Sequence, residues 1–258
     1  MTAAAATTVL QLEGVSRSFG GVPAVDQVTL AVRSGTITGL IGPNGAGKTT
    51  VVNLVMGLLR LSAGRVLLEG KDISRVEAAD LARSGMARTF QNIRLVPHAT
   101  VLDNVLSGFH RHGKAGLFAN ALGLPNARAE AAQHLEQART LLARFEMTKF
   151  AEHRANALSY GHQRRIEMMR ALAMKPRLLL LDEPVAGMND AEASELGQIF
   201  REVAEEGVAV LLIEHNMRFV SAICSYLYVL ASGRLISEGL PDAVLKDPKV
   251  VEAYLGAE

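Results

Sequence analysis

The sequence lacks what several large protein classes require. Cys224 is the only cysteine among 258 residues. One thiol excludes a disulfide within the chain and leaves no cysteine-based zinc site. An excess of one charge is missing too: 27 Lys and Arg against 26 Asp and Glu give a formal net charge of +1. That balance argues against gripping nucleic acid through a broad basic surface, and against an acidic disordered tail. The strongest apolar runs, Leu178–Leu181 and Val208–Ile213, are strand-length, whereas a membrane span needs about 20 residues. The opening Met1–Gly14 carries no positive segment followed by an apolar core, so it does not read as a secretory signal. Beyond Ala3–Ala6 there is no low-complexity tract, and no internal repeat. With 49% apolar and 21% charged residues, disorder is excluded as the main state and a packed α/β chain is expected, soluble and cytoplasmic. Any membrane role must run through partners.

Hydrophobic patterning divides the chain. Val28, Leu30 and Val32 alternate with polar or small residues, and Gly35 leads into a second strand, Thr36–Ile41. After a glycine-rich turn, Thr49–Leu59 places Val52, Leu54, Val55 and Leu58 on one helical face. Arg65–Glu69 is a further strand. From about residue 93 to 172 the character becomes helical. Thr100 and Asp103 make a capping box for a helix running towards Phe109, and Ala127–Arg144 carries Leu135, Leu141 and Leu142 as its apolar face. Residues 110–116 and 122–125 read as an exposed connection. The runs Leu178–Leu181 and Val208–Ile213 suit strands buried on both faces of a parallel sheet, separated by a helix over Ala191–Glu206. Two strands turning at Ser232-Gly233 and a helix from near Pro241 close the chain.

Between a strand and a helix stands Gly42-Pro-Asn44-Gly45-Ala-Gly47-Lys48-Thr49, which fits G-x-x-x-x-G-K-[ST]. Glycines let the backbone curl so that successive N–H groups face phosphate oxygens, and the following helix adds its positive end. Lys48 is expected to reach the β- and γ-phosphates and the Thr49 hydroxyl to ligate Mg²⁺, with Thr50 adding a phosphate contact. The bland alternative, a turn that binds nothing, does not explain this strand–loop–helix setting. The chain is expected to bind a nucleoside triphosphate.

Four leucines then lead into Asp182-Glu183-Pro184. Acids at the C-terminal end of a buried strand project into the crevice where such sheets bind ligands. Asp182 is expected to hold Mg²⁺ and Glu183 to polarise the attacking water. His215 ends the next apolar run. A parallel neighbour to the Asp182 strand would bring it to the same edge, near the γ-phosphate, while Glu214 beside it reads as solvated.

These residues resemble the nucleotide-binding subunits of ATP-binding cassette transporters. Leu158-Ser159-Tyr160-Gly161-His162-Gln163 looks like the family's signature, just upstream of the Asp182 strand. Gln91 is similar to its Q-loop glutamine, His215 to its switch histidine, and Phe19 to the aromatic that stacks on adenine. The resemblance implies one ATPase domain over residues 1–258. Its α/β fold is a P-loop NTPase core, a RecA-like mixed sheet with flanking helices. An N-terminal antiparallel β subdomain joins that core, and a helical subdomain is inserted at about 93–172. It further implies ATP and Mg²⁺ as cofactors, with Gln91 joining Thr49 and Asp182 at the metal and Glu183 and His215 at the chemistry. The implied partner is a second ATPase subunit, identical or paralogous, packed head to tail so that Ser159 and Gly161 complete the other subunit's site. Integral permease chains, an extracytoplasmic solute receptor acting indirectly, and a peripheral place on the cytoplasmic face of the membrane follow from the same likeness; nucleic acid does not. Tyr160, His162 and Asn189 depart from the usual pattern, which has Gly, Gln and Asp there.

More narrowly, Ala87–Leu95, Glu183–Asn189, Ile213–Met217 and the ending Ala253-Tyr-Leu-Gly256 are similar to ATP-binding subunits of branched-chain amino-acid importers, with urea and short-chain amide importers as close alternatives. A signalling GTPase is a poorer fit, because no Asn-Lys-x-Asp is present. A DNA-repair or chromosome-structuring ATPase would need coiled-coil insertions, a zinc module or a basic groove. His110 and His112 read as solvated loop residues, Met168, Met169 and Met174 as core. Arg164 and Arg165 suit carboxylate or phosphate equally, and Cys224 is an inert apolar residue.

Overall fold

A computed structural model describes residues 7–89, 93–109 and 125–255. The chain divides into two compact units: Met1–Met86 with Arg177–Glu258, and Ala87–Pro176.

In the first unit, β1 (Thr8–Phe19) and β2 (Val22–Arg33) form a hairpin, and β4 (Ala63–Leu68) and β5 (Lys71–Asp72) extend it into an antiparallel sheet ordered β2-β1-β4-β5. The alternation in β2 is its burial pattern, since Val28, Leu30 and Val32 all point into the core. The second sheet is mixed. β3 (Ile37–Ile41) lies between β9 (Tyr226–Ala231) and β8 (Ala209–Ile213), and β8 pairs with β7 (Leu178–Asp182), all parallel. β10 (Arg234–Gly239) pairs antiparallel with β9. Every residue of β3, β7 and β8 is buried, as expected for strands covered on both faces. One apolar cluster joins Leu12 and Leu30 of the first sheet, Leu40, Leu180 and Leu211 of the second, and Val52 and Val55 of the helix Lys48–Val55. The chain leaves this unit at the short strand β6 (Met86–Arg88).

That helix is shorter than the apolar pattern suggests. It ends at Val55 because Gly57 adopts φ 65°, and a Cβ there would lie 2.7 Å from the Val76 carbonyl oxygen. Leu58, expected on the buried face, is therefore exposed.

The second unit is helical. Thr100 caps Val101–Ser107 in a reciprocal pair with Asp103, as the sequence suggests. Buried Asn104 fixes the preceding segment by bonding both backbone groups of Val96. The helices Pro125–Arg144 and Tyr160–Ala173 complete it. A Cβ on Gly108 would come within 2.3 Å of the Arg170 carbonyl oxygen, so the end of Val101–Ser107 meets Tyr160–Ala173 backbone to backbone. Leu142 is buried from Pro125–Arg144 and Met168 and Met169 from Tyr160–Ala173. Arg164 finds a carboxylate: its Nη1 lies 3.0 Å from Glu167 Oε2, both side chains fully buried. His110, His112 and the connection read as exposed lie outside the described residues, apart from Pro125, which is exposed and opens the helix Pro125–Arg144. Among the described residues no helix is long and apolar enough to cross a membrane.

Candidate functional site

Parallel register gathers the candidate residues of the first unit. Leu40 of β3 pairs with Ile213 of β8, and Ile213 pairs with Asp182 of β7. The segments that follow, from Gly42, Glu183 and Glu214, therefore leave one edge of the sheet together, at the carboxyl ends where such sheets bind ligands.

Gly42–Thr50 can form only with glycine at two points. Gly42 has φ 151°, and a Cβ there would lie 2.0 Å from the Leu230 carbonyl oxygen. Gly47 has φ 102°, and its Cβ would lie 2.5 Å from the Ala24 carbonyl oxygen. Both combine a left-handed backbone with direct backbone contact. Ala46 N–H donates to Pro43 O at 3.2 Å, and Gly233 N–H donates to Ala46 O at 3.0 Å, tying the loop to the β9–β10 turn. The Lys48 ammonium donates to Gly42 O at 2.7 Å and Pro43 O at 2.9 Å. Burial pulls its pKa down, opposed first by Glu183 and then by Asp182. Asn44, Gly45 and Thr49 are exposed and Thr50 half-buried. Phe19 ends β1 at the hairpin tip, exposed, with the Arg17 guanidinium 4.7 Å from its ring centre.

Asp182 is buried at the end of β7. Glu183 takes φ 48°, a left-handed conformation that costs a non-glycine residue about 1–3 kcal/mol and concentrates at functional sites. Its N–H donates to Ile213 O at 2.9 Å, and its Oε1 lies 3.7 Å from His215 Nδ1. The expectation that His215 shares an edge with Asp182 matches this placement. The expectation for Glu214 does not: it is 1% exposed rather than solvated. Its carboxylate accepts from the N–H groups of Val185, His215 and Asn216, because the chain turns inward beyond β8. Strand periodicity stops at Ile213 and carries no signal for that turn. A second residue missed is Tyr254, whose hydroxyl is buried beside the Gly42 backbone; burial pushes its phenol up to about 12.

In the second unit, Ser159 caps Tyr160–Ala173, accepting from His162 N–H at 3.5 Å while its hydroxyl stands 2.8 Å from His162 Nδ1. His162 thus supports the cap. Tyr160 opens the helix at ordinary φ, so no glycine is needed there. Gln163 Nε2 donates to Leu158 O at 2.9 Å. In the first unit, Asn189 and Glu192 cap Asp190–Glu205 reciprocally, at 3.0 Å each way. Gln91 lies outside the described residues. Cys224 is buried and its thiol pushed up to about 12, consistent with inertness.

Among the described residues no three His, Cys, Asp or Glu side chains converge as a metal cage. One carboxylate with a hydroxyl, Asp182 and Thr49, is nevertheless the donor set that Mg²⁺ uses when phosphates and water supply the rest.

The comparisons agree with this geometry. Residues 25–186 match the ABC transporter family, and residues 234–258 match the family described as branched-chain amino acid ATP-binding cassette transporter. The high-affinity branched-chain amino acid transport ATP-binding protein BraF of Pseudomonas aeruginosa is 38% identical over 96% of this chain and 98% of that protein. LivG of Escherichia coli, described in the same words, matches with the same identity and coverage. A solved structure of the ADP conformation of an ATP-binding cassette of an ABC transporter superposes with a TM-score of 0.84 at 33% identity, covering 97% of this chain and 99% of that one. With its sheet edge, its glycine-bound loop and these likenesses, the chain belongs to the ATP-binding cassette family and is the ATP-binding, ATP-hydrolysing subunit of a transporter.

Proposed function

We propose that this ATPase powers uptake of branched-chain or other hydrophobic amino acids, working with integral permease chains from the cytoplasmic face of the membrane. The carrying observation is the convergence of Lys48, Asp182, Glu183 and His215 on one sheet edge. The relatives' descriptions and the C-terminal match supply the cargo class.

Gly42, Asn44, Gly45, Gly47 and Thr50 cradle the triphosphate through backbone and side-chain donors, and Lys48 sets its charge against the β- and γ-phosphates. Phe19 stacks on adenine. Thr49 and Asp182, with Gln91, would hold Mg²⁺, whose charge would offset that of the phosphates. Glu183 accepts the proton of the attacking water, and His215, 3.7 Å from its carboxylate, orients that pair. Ser159 and Gly161 serve a second ATPase subunit, identical or paralogous, in a head-to-tail pair: the helix N-terminus behind them presents N–H groups to the γ-phosphate. The solute receptor outside the membrane acts through the permease, never on this chain.

Affinity purification of the tagged protein from its native membranes in mild detergent tests the transport reading. Multi-span permease chains and a receptor that binds branched-chain amino acids are expected. An active ATPase recovered without a membrane protein would overturn it. For the site, Glu183→Gln is expected to keep ATP affinity while turnover falls by about a hundredfold or more. Unchanged turnover would remove Glu183 from the chemistry.

A further inference from the structure

Between Glu183 and His215 stands a buried acid that the chemistry above does not use. Glu214 is 1% exposed. Its Oε1 accepts from Val185 N–H at 3.3 Å; its Oε2 accepts from His215 N–H at 2.9 Å and Asn216 N–H at 3.3 Å. His215 Nδ1 is 3.7 Å from the same Oε2. Three N–H donors compensate a carboxylate whose burial would otherwise be strongly unfavourable.

The placement of these bonds gives them a purpose. β7 and β8 end at Asp182 and Ile213, and one further backbone bond joins them beyond that point, from Glu183 N–H to Ile213 O. Pro184 has no N–H, so Val185 carries the next donor on that side. Glu214 meets it with a side-chain oxygen and so continues the ladder past the point where backbone pairing stops. Its other oxygen grips His215, and Asn216 in turn caps the helix Met217–Ile223. Glu183, strained at φ 48°, and the largely exposed His215 side chain are thereby held from one buried carboxylate.

We propose that Glu214 is a positioning residue for hydrolysis: it clamps the turn after Glu183 to the backbone of His215, so that the two side chains keep their approach. This rests on the reading of Glu183 and His215 given above. Packing alone would be served by any side chain of this size, whereas the clamp needs two acceptor oxygens. Glutamine has one. In Glu214→Gln its amide nitrogen must face either Val185 N–H or the pair from His215 and Asn216, which breaks one side of the clamp at constant volume.

The test compares full-length Glu214→Gln, Glu214→Ala and Glu183→Gln with wild type. Nucleotide sites are titrated with a fluorescent ATP analogue and turnover is expressed per titrated site. Urea unfolding of each variant reports loosening of the core. Glu214→Gln is expected to lower kcat about tenfold and Glu214→Ala about thirtyfold, with ATP affinity within about threefold and the unfolding midpoint of Glu214→Gln close to that of wild type. Wild-type kcat in Glu214→Gln overturns the proposal. So does a joint loss of affinity, sites and unfolding midpoint in both Glu214 variants, which marks a purely structural role. If Glu183→Gln also turns over normally, the reading of Glu183 has failed and the proposal with it; if only Glu214→Gln does, the proposal fails alone.

Discussion

Lys48 and Ser159 both stand where a helix begins, yet the two beginnings are made differently. Lys48 follows Gly47, whose left-handed φ of 102° turns the chain into the helix without any side-chain cap. Ser159 has an extended backbone, and its hydroxyl accepts from His162 N–H. The first start is shaped by contacts that only glycine fits, and leaves its first-turn N–H groups without a side-chain acceptor. The second is an ordinary capped helix that many sequences would form. Folding therefore constrains the first start tightly and the second loosely, so substitutions at the two should separate fold from function.

The largest effect is expected at Gly42. Alanine there combines φ 151° with a Cβ 2.0 Å from the Leu230 carbonyl oxygen. Strain and backbone displacement should lower stability by about 2–4 kcal/mol, read by urea unfolding, and ATP affinity should be lost with the loop's shape. A Gly42→Ala protein of wild-type stability would break the claim that sterics build this start.

Gly161 sharpens the contrast from the other side. It lies in the first turn of Tyr160–Ala173 at ordinary helical φ, where alanine is the better helix former. Gly161→Ala should leave stability unchanged or raise it by about 0.5 kcal/mol. If its N–H serves the γ-phosphate of a second subunit, turnover should still fall about tenfold, because the added methyl stands where the phosphate must approach. ATPase assays beside thermal unfolding decide this. Turnover that stays normal would make Ser159 and Gly161 a helix start and nothing more.

The same contrast explains what the sequence could reveal. Gly42–Thr49 was readable because its backbone demands specific residue types at fixed spacing, and β3, β7 and β8 because continuous apolar runs suit strands buried on both faces. The Thr100–Asp103 cap was readable for a similar local reason. The end of Lys48–Val55 was not, since Val52, Leu54, Val55 and Leu58 keep helical spacing past the glycine that stops it. Arg164 suits carboxylate or phosphate equally in the sequence, and only the fold pairs it with the buried Glu167. Glu214 reads as solvated but is buried, because exposure of an acid after a strand depends on where the chain turns next, and partners such as Val185 lie on a different strand's exit. Local demands are written in the string; tertiary acceptors are not.

The smallest effect distinguishes the two starts by charge. The first contains a cation whose pKa is moved: burial lowers that of Lys48 from the ordinary 10.5, with Glu183 and Asp182 opposing. Phosphate favours the ammonium form. ATP affinity should therefore be flat near neutrality and decline as pH rises, with the decline beginning at lower pH than for an exposed lysine, and binding in that range should take up protons. Stability has the opposite sign. With the folded pKa below the unfolded one, the unfolded chain holds its proton more firmly, so this group's contribution improves as pH rises from the folded to the unfolded value. Lys48→Arg removes both slopes, because guanidinium stays charged throughout. Titration calorimetry in buffers of different ionisation enthalpy, from about pH 7 to about pH 10, compares the two proteins. Equal affinity slopes in wild type and Lys48→Arg would mean that the ammonium does not face the triphosphate, and the difference between the two helix starts would rest on backbone shape alone.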